Sequence, residues 1–186
     1  MANKTKKVLE AELKVLLKKK PLDKITITDI TSGCHMNRMT FYYHFKDIYD
    51  LIEWSVMQEA NKILEGNKTY QTWQQGFKNI LISVKNSDVF VLNISHSISR
   101  DRLEYHLCTV TFDLLKEVLT EIAGANVQDE KSFDTICNFY KHAFVGVVLD
   151  WVDEGMKTDV DEVVENVSLM MNGNFKRAFI ALREKK

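Results

Sequence analysis

One proline, Pro21, and seven glycines are the only strong backbone breakers in 186 residues. Sandwiches and barrels need turn residues about every 8–12 positions, so a chain this poor in them points to helices almost throughout. With 45% hydrophobic and 27% charged residues, it has the composition of a globular protein with a substantial core. The expected class is all-α.

Apolar periodicity divides the chain. Val8, Leu9, Leu13, Leu16 and Leu17 recur at helical spacing and predict a helix over Asn3–Lys19, which Pro21 terminates. In ITITDITSGC, Ile27, Ile30 and Cys34 share a helical face, and Thr28 stands where an N-cap is expected. A turn at His35 and Met36 and a second short helix over Arg38–His44 follow. Longer amphipathic stretches are predicted over Asp47–Leu64, Tyr70–Lys85, Asp88–Ser95, Arg100–Ile122, Glu130–Glu154 and Asp161–Arg183. Gly66, Gly124 and Gly155 sit in the breaks between them.

Charge separates the ends of the chain more sharply than its net value of −1 suggests. Residues 1–48 carry nine lysines and one arginine against five acids, a balance of +5. Residues 49–186 carry 15 basic and 21 acidic residues, a balance of −6. Such a split directs the first part toward a polyanion, although a solvated lysine face would produce the same count. A domain over 1–48 and a second over 49–186 are expected.

Inside the basic part, HMNRMTFYYHF (35–45) mixes rings, hydrogen-bonding tips and a cation and contains no acid. Two short helices joined by a tight turn behind a basic helix form a helix-turn-helix, whose second helix lies in the DNA major groove. Arginine pairs with guanine or phosphate, asparagine and threonine reach bases, and tyrosine hydroxyls donate to phosphate oxygens. Phe41 and Phe45, four residues apart, are expected to hold the helix from its inner face.

The stretch ITITDITSGCHMNRMTFYYHFKDIYDLI resembles the DNA-binding domain of TetR-type transcriptional regulators. Thr26, Asp29, Ile30, Thr40, Phe41, Tyr42, His44 and Phe45 match that pattern directly. The resemblance implies that Thr26, Tyr42 and Lys46 hold phosphates while Asn37, Arg38, Met39, Thr40 and Tyr43 face bases. Thr28, His35 and His44 complete the expected DNA surface. Two positions depart from the family: His35 stands where glycine is usual in the turn, and Met39 where a small residue is common. Histidine tolerates a left-handed backbone, and Met39 can touch a thymine methyl. Asn37 as a plain helix cap and Tyr43 as a packing residue are the competing readings.

KKKPLDKITITDI, FYYHFKDIYDLIEW and FVGVVLDWVDEGMK together also resemble one branch of the family, the DhaS-like regulators of dihydroxyacetone kinase operons. That branch implies a dihydroxyacetone kinase-like protein as effector, whereas an ordinary member would hold a small molecule in a cavity. Trp73, Phe77, Phe90, Tyr105, Phe112, Phe139 and Tyr140 supply aromatic material for a cavity or for plain core.

Val160, Val163, Val164, Val167, Met170, Met171, Phe175, Ala178, Phe179 and Leu182 form an apolar stripe too wide for one neighbouring helix. With Ala143 and Gly146 permitting close approach, they are expected to form the interface of a homodimer.

No GxxxxGK[ST], GxSxG, HExxH or Rossmann fingerprint occurs, which argues against an enzyme. The grouping His96, Arg100, Arg102, His106 and Cys108 reads as a solvated helix face. Cys34, Cys108 and Cys137 have neither CxxC spacing nor even number, so small buried residues in a reducing compartment are expected, with no metal and no cofactor. His35 and His44 lack a carboxylate or thiolate at ligand spacing. No apolar run is long enough for a membrane span, and a cytoplasmic protein is expected. The expected function is regulation of transcription by a homodimer on a palindromic double-stranded DNA operator, responding to a small-molecule or protein effector. A helical protein-interaction module or co-activator without a small-molecule ligand is the alternative.

Overall fold

The computed structural model describes residues 2–67, 69–87, 91, 99–123 and 130–184. These form helices and turns, and no strand occurs among them. In chain order the helices are α1 (Ala2–Leu17), α2 (Ile27–Gly33), α3 (Arg38–His44), α4 (Ile48–Leu64), α5 (Trp73–Asn86), α6 (Arg100–Ala123), α7 (Glu130–Asp153), α8 (Val160–Met171) and α9 (Asn174–Glu184). None of the described helices is long and apolar enough to cross a membrane. The expected helix over Asp88–Ser95 and the break at Gly124 lie outside the described residues.

The chain divides into two compact units, Met1–Glu59 with Ser87–Leu103, and Ala60–Asn86 with Glu104–Lys186. The first is built on the apolar stripe of α1. Leu9, Leu13 and Leu17 meet Ile30 of α2, Phe41 of α3, Phe45, and Leu51 and Ile52 of α4 in one buried cluster. After Pro21 a single 3-10 turn, Leu22–Lys24, drops Leu22 and Ile25 into the same core. Fixed polar contacts join α1 to α4. The Ser55 hydroxyl donates to Glu10 at 2.6 Å, and Glu10 also pairs with Lys14 at 2.8 Å. Lys6 lies over the rings of Phe45 and Trp54.

In the second unit α7 is the central element. Its residues Phe133, Ile136, Cys137, Tyr140, Val145, Leu149, Trp151 and Val152 are buried. α8 packs on α5, and α9 packs on α7 and α8. Helix α7 ends in a Schellman motif: Gly155 takes φ 77°, its N–H reaches Val152, and the Met156 N–H reaches Trp151. The Trp151 indole N–H then donates to the Thr158 carbonyl at 2.9 Å, closing the turn into α8.

The single helix expected over Asp161–Arg183 is two. Asn172 leaves helical geometry and Gly173 adopts φ 71°, so the apolar stripe turns a corner between α8 and α9. Helix α5 starts at Trp73 rather than Tyr70, because Thr69 and Thr72 close a turn through paired hydroxyl and backbone bonds before it.

Candidate nucleic-acid interface

Helix α2 is set by its ends. Its N-cap is Thr26, two residues before the expected Thr28, because Asp29 at the third helical position completes a capping box. The Thr26 hydroxyl oxygen accepts from the Asp29 N–H at 3.1 Å, and the Asp29 carboxylate accepts from the Thr26 N–H at 2.8 Å. Lys20 adds a 2.8 Å ion pair to the same carboxylate. The Lys20 ammonium, then the Thr26 backbone and hydroxyl bonds, hold the Asp29 carboxyl at about 2, well below its ordinary 3.8. Thr28 is exposed in the first turn, where its carbonyl accepts from Thr31.

The other end of α2 is a Schellman motif. The Met36 N–H reaches the Thr31 carbonyl at 2.8 Å and the His35 N–H reaches Ser32 at 3.1 Å. His35 occupies the left-handed position of this motif with φ 55°, where glycine is commonest. The turn is thus completed by a histidine whose side chain is exposed.

Asn37 starts α3 as its N-cap: its side-chain oxygen accepts from the Thr40 N–H at 2.8 Å and the Thr40 hydroxyl at 3.0 Å. The helix then presents two unlike faces. Phe41, within van der Waals reach of Phe45, points into the core and is fully buried. Met39 and Tyr43, four residues apart, are 74% and 83% exposed, with exposed Arg38 and Tyr42 beside them. Arg38 donates to the Tyr42 hydroxyl at 3.4 Å. His44 is half-buried with its ring edge-on to Tyr43, and Lys46 is exposed beyond the helix. The outward face therefore carries a cation, two phenols and a thioether, with no acid on the helix. Exposing an aromatic and a thioether together costs hydration energy that a free surface does not return, which fits a face built for contact.

The aromatics of the second unit separate. A cavity of about 140 Å³ is lined by Trp73, Phe77, Leu107, Val110, Leu115 and Phe144, among others. Asn67 and Thr111 are the polar residues on its wall. Trp73 and Phe77 pack edge-on against Phe144, so these two of the expected cavity residues do line it. The other described ones do not. Tyr105 and Phe139 point outward, Phe112 lies beneath the ammonium groups of Lys116 and Lys141, and Tyr140 packs against Phe175. Helical spacing identified rings on these helices, but which way each faced depended on how α6 and α7 meet.

The residues expected at a dimer interface also separate. Val160, Val163, Met171 and Phe175 are buried within the chain's own fold, where they close α8 and α9 onto α5 and α7. Val167 is half-buried, Met170 is 70% exposed, and the Phe179 side chain lies outside the described positions. Ala143 is exposed and Gly146 half-buried, with Phe139, 71% exposed, on the same face of α7. Among the described residues, nothing beyond the helix's own backbone lies within 4 Å of where a β-carbon on Gly146 would stand.

A helix-turn-helix with a bare, acid-free outer face, joined to a helical unit with an apolar cavity, is the arrangement of a DNA-binding transcriptional regulator. Residues 71–173 match the family model TetR_C_8, described as a transcriptional regulator C-terminal region, and the chain belongs to this TetR family. Over 90 residues it is 23% identical to the HTH-type dhaKLM operon transcriptional activator DhaS of Lactococcus lactis subsp. lactis (strain IL1403). That match covers 48% of this chain and 48% of the relative, so it spans about half the length of the curated protein. The solved structure of a dihydroxyacetone kinase operon activator DhaS shares the fold. Its TM-score is 0.66 at 17% identity, over 92% of this chain and 96% of that one.

Proposed function

We propose that the chain binds a palindromic operator as a homodimer, each copy laying α3 in a major groove. The observation that carries this reading is the outward face of α3, with Arg38, Met39, Tyr42 and Tyr43 exposed around a fully buried Phe41. Arg38 and Met39 serve as base-reading residues, and Tyr42 and Lys46 hold phosphates. Thr26 and Asn37 act mainly as helix caps, since their side-chain oxygens are already bonded within the motif. The dimer forms through the Phe139–Ala143–Gly146 face of α7. Similarity to the dhaKLM operon transcriptional activator DhaS supports an operon of that class as target, with the chain as activator.

The cavity suits an apolar effector about the size of one aromatic ring. Dihydroxyacetone itself fits poorly, because its hydroxyls would be buried against a wall with few polar partners. A triose signal would therefore reach this chain through a dihydroxyacetone kinase-like protein, which is the second reading.

Selection of bound DNA from a random pool tests the main reading. A two-fold symmetric sequence lying upstream of dihydroxyacetone kinase genes is expected. Enrichment of an asymmetric site, or of none, would overturn it. Adding small aromatic compounds or a purified kinase-like protein to the DNA-bound regulator then separates the two effectors by which one changes affinity.

A further inference from the structure

Helix α6 carries Glu104 and Cys108 one turn apart, and α7 brings His142 against both. Cys108 Sγ stands 3.5 Å from His142 Nδ1, and the same Nδ1 stands 3.4 Å from a Glu104 carboxylate oxygen. The three ligand atoms lie within 4.8 Å of one another. A tetrahedral zinc with Zn–S about 2.3 Å and Zn–N and Zn–O about 2.1 Å has S···N edges of about 3.6 Å and N···O edges of about 3.4 Å. Two of the three gaps thus already have the lengths that a bound ion would impose. We propose that Glu104, Cys108 and His142 form a zinc(II) site, its fourth position open to water.

The donor set selects the ion. A thiolate, an imidazole and a carboxylate suit zinc and its neighbours rather than magnesium or calcium, which take oxygen ligands. Thiolate and carboxylate together neutralise a divalent ion, and a neutral imidazole adds no charge. The cation acting on Cys108 is Lys141, whose ammonium donates to Asn138 at 2.7 Å and lies over the Phe112 ring. Access is graded: Cys108 is buried, Glu104 half-buried and His142 exposed, so an ion enters from the His142 side. The same pair of helices supplies Leu107, Val110, Phe144 and Val145 to the cavity. An ion pinning α6 to α7 therefore stiffens the cavity wall.

The competing reading needs no ion: Nδ1 either donates to the Glu104 carboxylate or accepts from the Cys108 thiol, one contact excluding the other at a single ring nitrogen. Titration of the full-length protein with cobalt(II), followed by displacement with zinc(II), decides between them. The expected result is one ion per chain, an intense thiolate-to-cobalt absorption with the visible bands of a tetrahedral complex, and loss of both on adding zinc. Cys108→Ser should abolish the thiolate absorption. His142→Ala and Glu104→Gln, at accessible positions where folding is not at risk, should each weaken zinc binding. The loss should be at least the roughly 10- to 100-fold caused by removing a mere outer-shell partner. No thiolate absorption in the parent, its persistence in Cys108→Ser, or unchanged zinc affinity in His142→Ala would overturn the site. If Cys108→Ser fails to fold by circular dichroism, the His142 and Glu104 variants decide alone.

Discussion

The Arg38 guanidinium donates to the Tyr42 hydroxyl one helical turn away, at 3.4 Å, and lies 6.0 Å from the centre of its ring. The two side chains proposed to read a base and to hold a phosphate therefore share a contact before DNA arrives. Arg38→Ala should cost about 1–3 kcal/mol on the preferred operator and relax preference at one base position per half-site. Tyr42→Phe should weaken all sequences to a similar extent, since phosphate is the same beside every base pair. Because the two side chains touch, the double variant should depart from additivity by about 0.5 kcal/mol or more. Affinities of the three variants across single-base operator changes at fixed salt measure this. Strict additivity would mean that the contact dissolves when DNA binds.

His35 at φ 55° holds a position that glycine would occupy without strain. Replacement by glycine should leave stability equal or raise it by up to about 1 kcal/mol. Replacement by valine, whose branched β-carbon resists the left-handed region, should cost about 1–3 kcal/mol. Urea unfolding of the two variants provides the comparison. Equal stability of the valine and glycine proteins would show that the α2–α3 turn rearranges freely.

The Asp29 carboxyl, lowered from 3.8 to about 2 by Lys20 and by the Thr26 cap, gives a pH dependence of known sign. The folded protein releases this proton more readily than the unfolded chain. The pair therefore stabilises fully above the unfolded value near 3.8 and loses that contribution as pH falls toward about 2. Asp29→Asn should be less stable than the parent at neutral pH, and the gap should shrink across that window. A gap that stays constant down to the acid limit would show that the box is open in solution.

Most of the first unit was legible in the sequence, because its signals are local. Leucine spacing on α1, Pro21 and the alternation of Phe41 and Phe45 with exposed polar residues each act within a turn or two. The cap of α2 was misplaced by two residues, since Thr26 and Thr28 are chemically alike and only Asp29 chooses between them. The second unit was less legible. Periodicity shows that α7 carries rings at 139, 140 and 144, but only its packing turns Phe144 to the cavity, Tyr140 to Phe175 and Phe139 outward. The approach of His142 to Cys108 spans 34 residues and two helices, a distance over which no spacing rule operates.

The exposed stripe on α7 separates an interface from an ordinary surface. Val160, Val163 and Met171 are buried in their own chain, so charges placed there would unfold the protein and report nothing about a partner. Phe139 and Gly146 are better probes. Phe139→Glu alters a side chain already in solvent, and a β-carbon at 146 has open space around it within the chain. Within one chain, replacing a mid-helix glycine should even favour α7, by up to about 1 kcal/mol. If a second copy packs on this face, Gly146→Leu holds the two helices apart and Phe139→Glu buries an unpaired charge. Both variants should then sediment as folded monomers and lose most operator affinity, because each monomer grips only one half-site. Two variants that remain dimeric would exclude this face. Met170→Glu, on the exposed side of α8, would then test the remaining apolar surface.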